Sequence, residues 1–214
     1  MKKVIIVLLA LSLAVTAFAG MNMPFNHNAT MIPVNASLAS AAFYDSFRLL
    51  TLEFTQGFKG TNAHAKLALG TAALGAEVLL SHNLFQWEKI DMGFSYGGQF
   101  SFVKNGGWYL SPVVMWNMSH KFNNTVDFYG GTKFMLDMGF DYRWNGSQWG
   151  YSKFALRADW ALYMGTQIDI ADNLELFFEL TPGIINSGSS GFIGVNYYIP
   201  KGVKIPEGAK KVNK

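Results

Sequence analysis

From Lys89 to Val103 the chain alternates between two kinds of side chain. The even positions are Ile90, Met92, Phe94, Tyr96, Gly98, Phe100 and Phe102; the odd ones include Lys89, Asp91, Gly93, Ser95, Gly97, Gln99 and Ser101. A period of two with one apolar and one polar face predicts a half-buried β-strand. The pattern recurs three times. Val126, Phe128, Phe134, Leu136, Met138, Phe140 and Tyr142 alternate with Asp127, Lys133, Asp137, Asp141 and Arg143. Phe154, Leu156, Ala158, Trp160, Leu162, Met164 and Ile168 alternate with Lys153, Arg157, Asp159, Tyr163, Gln167 and Asp169. Leu174, Leu176, Phe178 and Leu180 alternate with Glu175, Phe177, Glu179 and Thr181. Every charged residue of these four segments falls on the polar parity.

Turn-forming clusters separate the periodic segments: Lys59-Gly60-Thr61-Asn62, Asn105-Gly106-Gly107, Asn145-Gly146-Ser147, Asp172-Asn173 and Ser187-Gly188-Ser189-Ser190-Gly191. The resulting expectation is an all-β fold of eight antiparallel strands, over 47–58, 63–80, 88–104, 107–119, 125–143, 150–169, 173–186 and 190–199. Segment 63–80 changes its apolar parity, from Ala65, Leu67 and Leu69 to Leu74, Ala76, Val78 and Leu80. A bulge near Gly70 accounts for this within eight strands. A turn over Gly70–Ala73 is the alternative, and an even barrel then takes a tenth strand from about 32–42.

Period two does not say which face points inward. A soluble ligand-binding barrel turns its apolar face in; a membrane barrel turns it out. Strand length, a bulky apolar face and a polar face rich in small residues (Gly93, Gly97, Gly131, Gly139, Ala155, Ala161, Gly165, Gly183, Gly194) favour the membrane, as an up-and-down transmembrane barrel. Ile90, Phe94, Phe100, Phe134, Leu136, Phe140, Leu156, Leu162, Leu176 and Phe178 then face lipid. Glu53, Lys66, Glu77, Lys89, Asp91, Asp127, Lys133, Asp137, Lys153, Arg157, Asp159, Glu175 and Glu179 face a salt-bridged lumen. Trp108, Trp116, Tyr142, Trp144, Trp149 and Tyr151 lie near strand ends, where an aromatic girdle belongs. Trp160, in mid-strand, and Pro112 and Pro182, inside strands, depart from these rules.

Composition adds a compartment. Lys2 and Lys3, the apolar run Val4–Ala17 and Ala17-Phe18-Ala19 form a secretory signal peptide over 1–19, too short in its apolar run for a spanning helix. The chain has 214 residues and no cysteine, which excludes a disulfide scaffold and thiolate metal sites. Its net charge of +3 does not describe a basic surface. The tail 200–214 concentrates Lys201, Lys204, Lys210, Lys211 and Lys214 against Glu207, and the stretch between leader and tail is slightly acidic. Nothing supports nucleic-acid binding. The tail offers electrostatic attraction to anionic headgroups or polymers. The segment 20–46, rich in Asn, Ala, Ser and Met, is a linker, a small plug or a first strand.

With leader, alternation and girdle in hand, the stretch 47–199 resembles the small outer-membrane β-barrels of diderm bacteria, the class of the OmpX- and OmpW-like proteins and the OmpA membrane domain. Its last strand, Phe192 to Ile199, is similar to the C-terminal assembly signal of that class through Gly194, Tyr197 and Ile199, although this chain continues to Lys214. The resemblance implies a monomer in the outer membrane whose partners are membrane lipids and, during insertion, the barrel-assembly machinery.

Candidate chemistry is sparse, and a non-enzymatic structural or envelope role is expected, with a narrow channel for small solutes as the alternative. Gly93-Phe94-Ser95-Tyr96-Gly97 matches a nucleophile elbow, but an elbow needs a turn from strand to helix, and these residues share one continuous strand. His27, His64, His82 and His120 have no partners at metal-ligand spacing, so neither metal nor cofactor is expected. His82 and His120 are expected in solvated turns, and His64 toward the lumen. A lipid-modifying barrel enzyme ranks third, since a serine, a histidine and an acid could be assembled across strands though no local spacing singles out a set, and a soluble ligand-binding barrel ranks fourth.

Overall fold

The computed structural model describes residues 32–44, 49–71, 73–103, 107–144, 149–185 and 189–199. The leader 1–19, the tail 200–214 and most of the turn clusters at 104–106, 145–148 and 186–188 lie outside the described residues. So do the side chains of Tyr142, Trp144, Trp149, Tyr151 and Lys153.

Eleven strand segments follow one another: β1 Ser37–Tyr44, β2 Leu49–Phe58, β3 Thr61–Gly70, β4 Ala73–Trp87, β5 Ile90–Val103, β6 Gly107–Lys121, β7 Val126–Trp144, β8 Trp149–Ala171, β9 Leu174–Thr181, β10 Gly183–Ile185 and β11 Ser190–Ile199. Each pairs antiparallel with its neighbour from β1 through β9, β9 pairs with β11, and β11 returns to β1. The described strands therefore close into a ring. β9 and β10 are one strand interrupted at Pro182, which lacks a donor but still accepts from the Leu162 amide at 3.0 Å. Counted so, the ring has ten strands.

Ten replaces the expected eight at two places. Segment 63–80 is two strands, β3 ending at Gly70 and β4 starting at Ala73, paired as an antiparallel hairpin, so the change of parity marks the alternative, a break between strands, rather than a bulge. The tenth strand is β1, inside the segment 20–46 whose structure the sequence left open. Its Ala-Ser composition hides any alternation, yet Leu38, Ser40 and Ala42 are buried on one side. Pro112 interrupts pairing on one side only: β5–β6 runs unbroken through Gly98↔Pro112, while β6–β7 has no pair between Leu110↔Met138 and Val113↔Met135.

Both β1 and β11 meet the same mouth of the barrel, the terminal mouth, with the turns at 59–60, 88–89, 122–125 and 172–173. Burial follows parity around the ring. β6 alternates buried and exposed residues along nearly its whole length. Inside, Leu79, Val113, Met115, Tyr129, Met135 and Tyr163 form a packed apolar cluster.

Three aromatic rings of the interior lie against glycines on the neighbouring strand. Tyr163 sits opposite Gly131, Tyr129 opposite Gly165, and Phe177 opposite Gly194. A Cβ at Gly131 would stand 2.7 Å from the Tyr163 hydroxyl, at Gly165 2.4 Å from the Tyr129 ring, and at Gly194 2.5 Å from the Phe177 ring. The small residues of the polar face are thus seats for large inward side chains, a known device for pinning register.

Candidate functional site

Lys133, Glu77, Lys66 and Glu53 form the centre of the interior. Glu53 sits opposite Lys66, and Lys66 opposite Glu77, so two successive cross-strand pairs set the three in a row over β2, β3 and β4. Lys66 Nζ is 3.8 Å from Glu53 Oε2 and 3.3 Å from Glu77 Oε1. Lys133 reaches in from β7, placing Nζ 2.5 Å from Glu77 Oε2 and donating to Gln99 Oε1 at 3.0 Å. Buried charges persist only when they are paired, and four strands supply the pairing here: Lys133 hydrogen-bonds one Glu77 oxygen, and the other faces Lys66 as an ion pair.

Beside it runs a chain of hydrogen bonds. The His64 Nδ1 group faces Glu53 Oε1 at 3.1 Å and Thr55 Oγ1 at 2.9 Å, while Thr55 Oγ1 donates to Glu53 Oε1 at 3.1 Å. On the other ring edge, His64 Nε2 is 2.9 Å from Ser81 Oγ. Ser81 Oγ is 2.7 Å from Ser95 Oγ, Asn117 Nδ2 donates to Ser95 Oγ at 2.6 Å, and the Tyr163 hydroxyl donates to Asn117 Oδ1. Six strands contribute to this one network. Sequence reasoning did not foresee it, because its members lie one or two to a strand. Only the register of the hairpins brings Thr55 opposite His64 and Asn62 opposite Ser81.

The remaining inner acids lie toward the two mouths. Glu179 accepts from the Tyr129 hydroxyl at 3.0 Å and from Thr181 Oγ1 at 3.3 Å. Glu175 accepts from Asn196 Nδ2 at 3.2 Å. Asp91 and Asp127 are half-buried near the terminal mouth. Toward the opposite mouth, Ser111 donates to Asp137, Tyr109 donates to Asp141, and Asp159 is buried. Arg157 lies 3.6 Å from Asp141 and 4.6 Å from the centre of the Tyr109 ring. Lys89, expected among the inner charges, instead occupies the β4–β5 turn and is exposed, because β5 begins one residue later. Buried carboxylates (Glu53, Glu77, Asp137, Asp159, Glu179) outnumber the buried cations Lys66 and Lys133.

The outer face is apolar. Phe100, Phe134, Leu136, Leu156, Leu162 and Phe178 are exposed, and Ile90, Phe94, Phe140 and Leu176 are half-buried among outward neighbours. Trp108 packs on Phe140 at 5.4 Å near one end, and Trp116 is exposed near the other. Trp160, the mid-strand exception, stacks on Phe134 at 5.4 Å and donates its indole N–H to Thr132 Oγ1 at 2.6 Å. That bond satisfies its polar atom within the apolar face. His82 and His120 do not lie in turns: they sit in β4 and β6 on the outward parity, since both hairpins extend past them toward the terminal mouth. His82 stacks on Tyr96 at 5.6 Å and its Nδ1 lies 3.1 Å from Thr61 Oγ1. Ser95 remains on a continuous strand, so the Gly-x-Ser-x-Gly match is not an elbow. Among the described residues, no group of three or more His, Asp or Glu side chains is placed to hold a metal ion.

No protein-family model matches the sequence, and no curated protein matches it. Among solved structures the chain is similar to outer-membrane-expressed OmpT of Vibrio cholerae, at 12% identity and a TM-score of 0.35, over 71% of this chain and 56% of that one. The chain thus spans little more than half of that protein. It is also similar to the KdgM porin, at 10% identity and a TM-score of 0.40, over 76% of this chain and 98% of the other. A third likeness is to the N-terminal β-barrel domain of Pseudomonas aeruginosa OprF, at 10% identity and a TM-score of 0.33, over 78% and 98% of the two chains. Each is a distant likeness of one β-barrel to another.

Proposed function

We propose that the protein is an outer-membrane β-barrel with a lumen closed by buried ion pairs, serving the mechanical integrity of the envelope rather than solute passage. Two properties support this reading. The outward face presents large apolar side chains on strand after strand, among them Leu52, Val78, Leu110, Phe134, Leu156 and Ile193. A monomeric soluble protein rarely leaves so much apolar surface to water, whereas a bilayer is its natural solvent.

The observation that carries the non-conducting role is the inner face. Thr55, Ala68, Leu79, Ser95, Met115, Lys133, Phe177 and Asn196 are 0% exposed, and Ala42 and Ala161 are 2% and 1% exposed. Every strand of the ring therefore contributes an inward side chain that water does not reach. A water-filled pore would wet such residues. Lipids are the standing partner, and the barrel-assembly machinery the transient one, with the leader 1–19 removed on export. A narrow solute channel is the second reading, favoured by ten strands over eight, since barrel width grows with strand number.

The decisive experiment is reconstitution of the full chain in planar bilayers, beside outer-membrane fractionation and heat-modifiable gel migration. The expectation is recovery in the outer-membrane fraction, a migration shift on boiling, and no unitary conductance. Discrete, reproducible conductance steps would overturn the closed-lumen reading in favour of the channel. A chain that stays soluble, with no shift on boiling, would overturn the membrane reading itself.

A further inference from the structure

The Glu53–His64–Ser81 alignment has the geometry of an acyl-transfer relay. Its polarity can be worked out from the donors. Tyr163 spends its hydroxyl proton on Asn117 Oδ1, which turns Asn117 Nδ2 toward Ser95 Oγ. Ser95 accepts there, so its own proton is available to Ser81 Oγ at 2.7 Å. Ser81, accepting from Ser95, has its proton free for His64 Nε2 at 2.9 Å. Thr55 directs its hydroxyl proton at Glu53, so the His64 ring proton belongs on Nδ1, facing Glu53 Oε1 at 3.1 Å. The carboxylate thus fixes the tautomer and leaves an Nε2 lone pair on the serine, as a nucleophile–base–acid set requires.

Access differs along the interior. Lys133 is 0% exposed and Glu77 1%, but His64 and Ser81 retain 7% and 8%. The pair lies on the terminal-mouth side of the ion-pair cluster: Ser81 stands opposite Asn62, the second residue of β3 after the turn at that mouth. Gly93, two residues from Ser95 on the same inner face toward that mouth, adds no side chain above it. What exposure the pair keeps is on that side of the closed centre, so an incoming molecule would approach from the terminal mouth.

We propose that Ser81 is an activated nucleophile that accepts acyl groups from small esters carrying no negative charge. Ser81 Oγ bonds to the acyl carbon as its proton passes to His64 Nε2, and the carbonyl electron pair moves to oxygen. Ser95, held in place by Asn117, stays hydrogen-bonded to Ser81 Oγ and orients it. When the carbonyl re-forms, the ester C–O bond breaks and the alkoxide leaves with the proton from His64. Water, deprotonated by His64, releases the acyl group as a carboxylic acid and restores Ser81. The excess of buried carboxylates over cations in the interior repels anionic esters, which sets the charge preference.

The test uses the folded full chain in detergent, an uncharged fluorophosphonate probe and p-nitrophenyl acetate. Stoichiometric labelling mapped to Ser81 by peptide mass spectrometry is expected. His64→Gln should slow labelling and esterase turnover by about 10²–10⁴-fold; Ser111→Ala, an inner serine bonded to Asp137, should leave both unchanged. Heat-modifiable migration confirms folding of each variant, and site mapping on the wild-type chain needs no variant at all. A folded wild-type chain that takes no label, or a label mapped away from Ser81, overturns the proposal.

Discussion

Lys133 on β7 and Glu77 on β4 meet across the barrel interior at 2.5 Å, with neither side chain exposed to solvent. Desolvation makes each charge dependent on the other, and Lys66 also contacts the carboxylate, at 3.3 Å. Lys133→Met should therefore destabilise the folded barrel by about 3–5 kcal/mol, as expected for a buried pair stripped of one partner. The double variant Lys133→Met/Glu77→Gln should recover part of that loss, with a coupling of about 0.5–3 kcal/mol. Urea unfolding in micelles, followed by tryptophan fluorescence, measures both. Strict additivity of the single substitutions would count against the pairing.

Phe134 is exposed on the outer face midway along β7, and Trp87 is exposed at the tip of the β4–β5 hairpin. In a bilayer an arginine is penalised by depth. Phe134→Arg should lose about 2–4 kcal/mol of stability and Trp87→Arg about 0–1 kcal/mol. Folding titrations into lipid vesicles would read the difference. Equal tolerance at the two positions would rule out the proposed lipid-facing surface.

Gly165 and Gly98 make a matched pair of glycine-to-alanine tests. At Gly165 a methyl group meets the Tyr129 ring at 2.4 Å and the Phe178 carbonyl oxygen at 2.6 Å; at Gly98 the nearest atom is 3.9 Å away. Gly165→Ala should displace Tyr129 from Glu179 and cost about 1–3 kcal/mol, with a change in near-ultraviolet circular dichroism. Gly98→Ala should leave the unfolding midpoint nearly unmoved. Identical behaviour of the two variants would contradict the seating of Tyr129 on Gly165.

Thr132 supplies the acceptor for the Trp160 indole at 2.6 Å on an otherwise apolar surface. Thr132→Val strands that N–H and should destabilise by about 1–3 kcal/mol. Adding Trp160→Phe removes the orphaned donor and should restore much of the loss. If the double variant is no more stable than Thr132→Val alone, the bond is not the reason a tryptophan is tolerated there.

What was readable in the sequence was readable for a physical reason. Charge cannot sit on the outer parity, so segments such as Phe154–Ile168 declare strand, register and face together. β1 declares nothing: in Ser37–Tyr44 alanine and serine stand on both faces, because its inner side packs closely and its outer side carries little beyond Phe43. The break between β3 and β4 shows only as a change of apolar parity, since Gly70-Thr71-Ala72-Ala73 lacks the Asn, Asp or Pro that usually marks a turn. The hydrogen-bonded set around His64 is illegible in one dimension. Glu53, His64, Ser81, Ser95, Asn117 and Tyr163 each look like an ordinary polar strand position until strand pairing places them side by side.

The seam between β1 and β11 joins elements far apart in sequence. Ser37 pairs with Ile199 and Tyr44 with Phe192, so the cylinder is sealed by joining the first described strand to the last. Until β11 takes its place, β1 and β9 each present an open row of amides and carbonyls. A contact so remote in sequence carries a large loop-closure entropy, which the pairing along the seam must offset. An unsealed sheet therefore offers two edges on which another chain can pair, and the β1–β11 seam removes both at once.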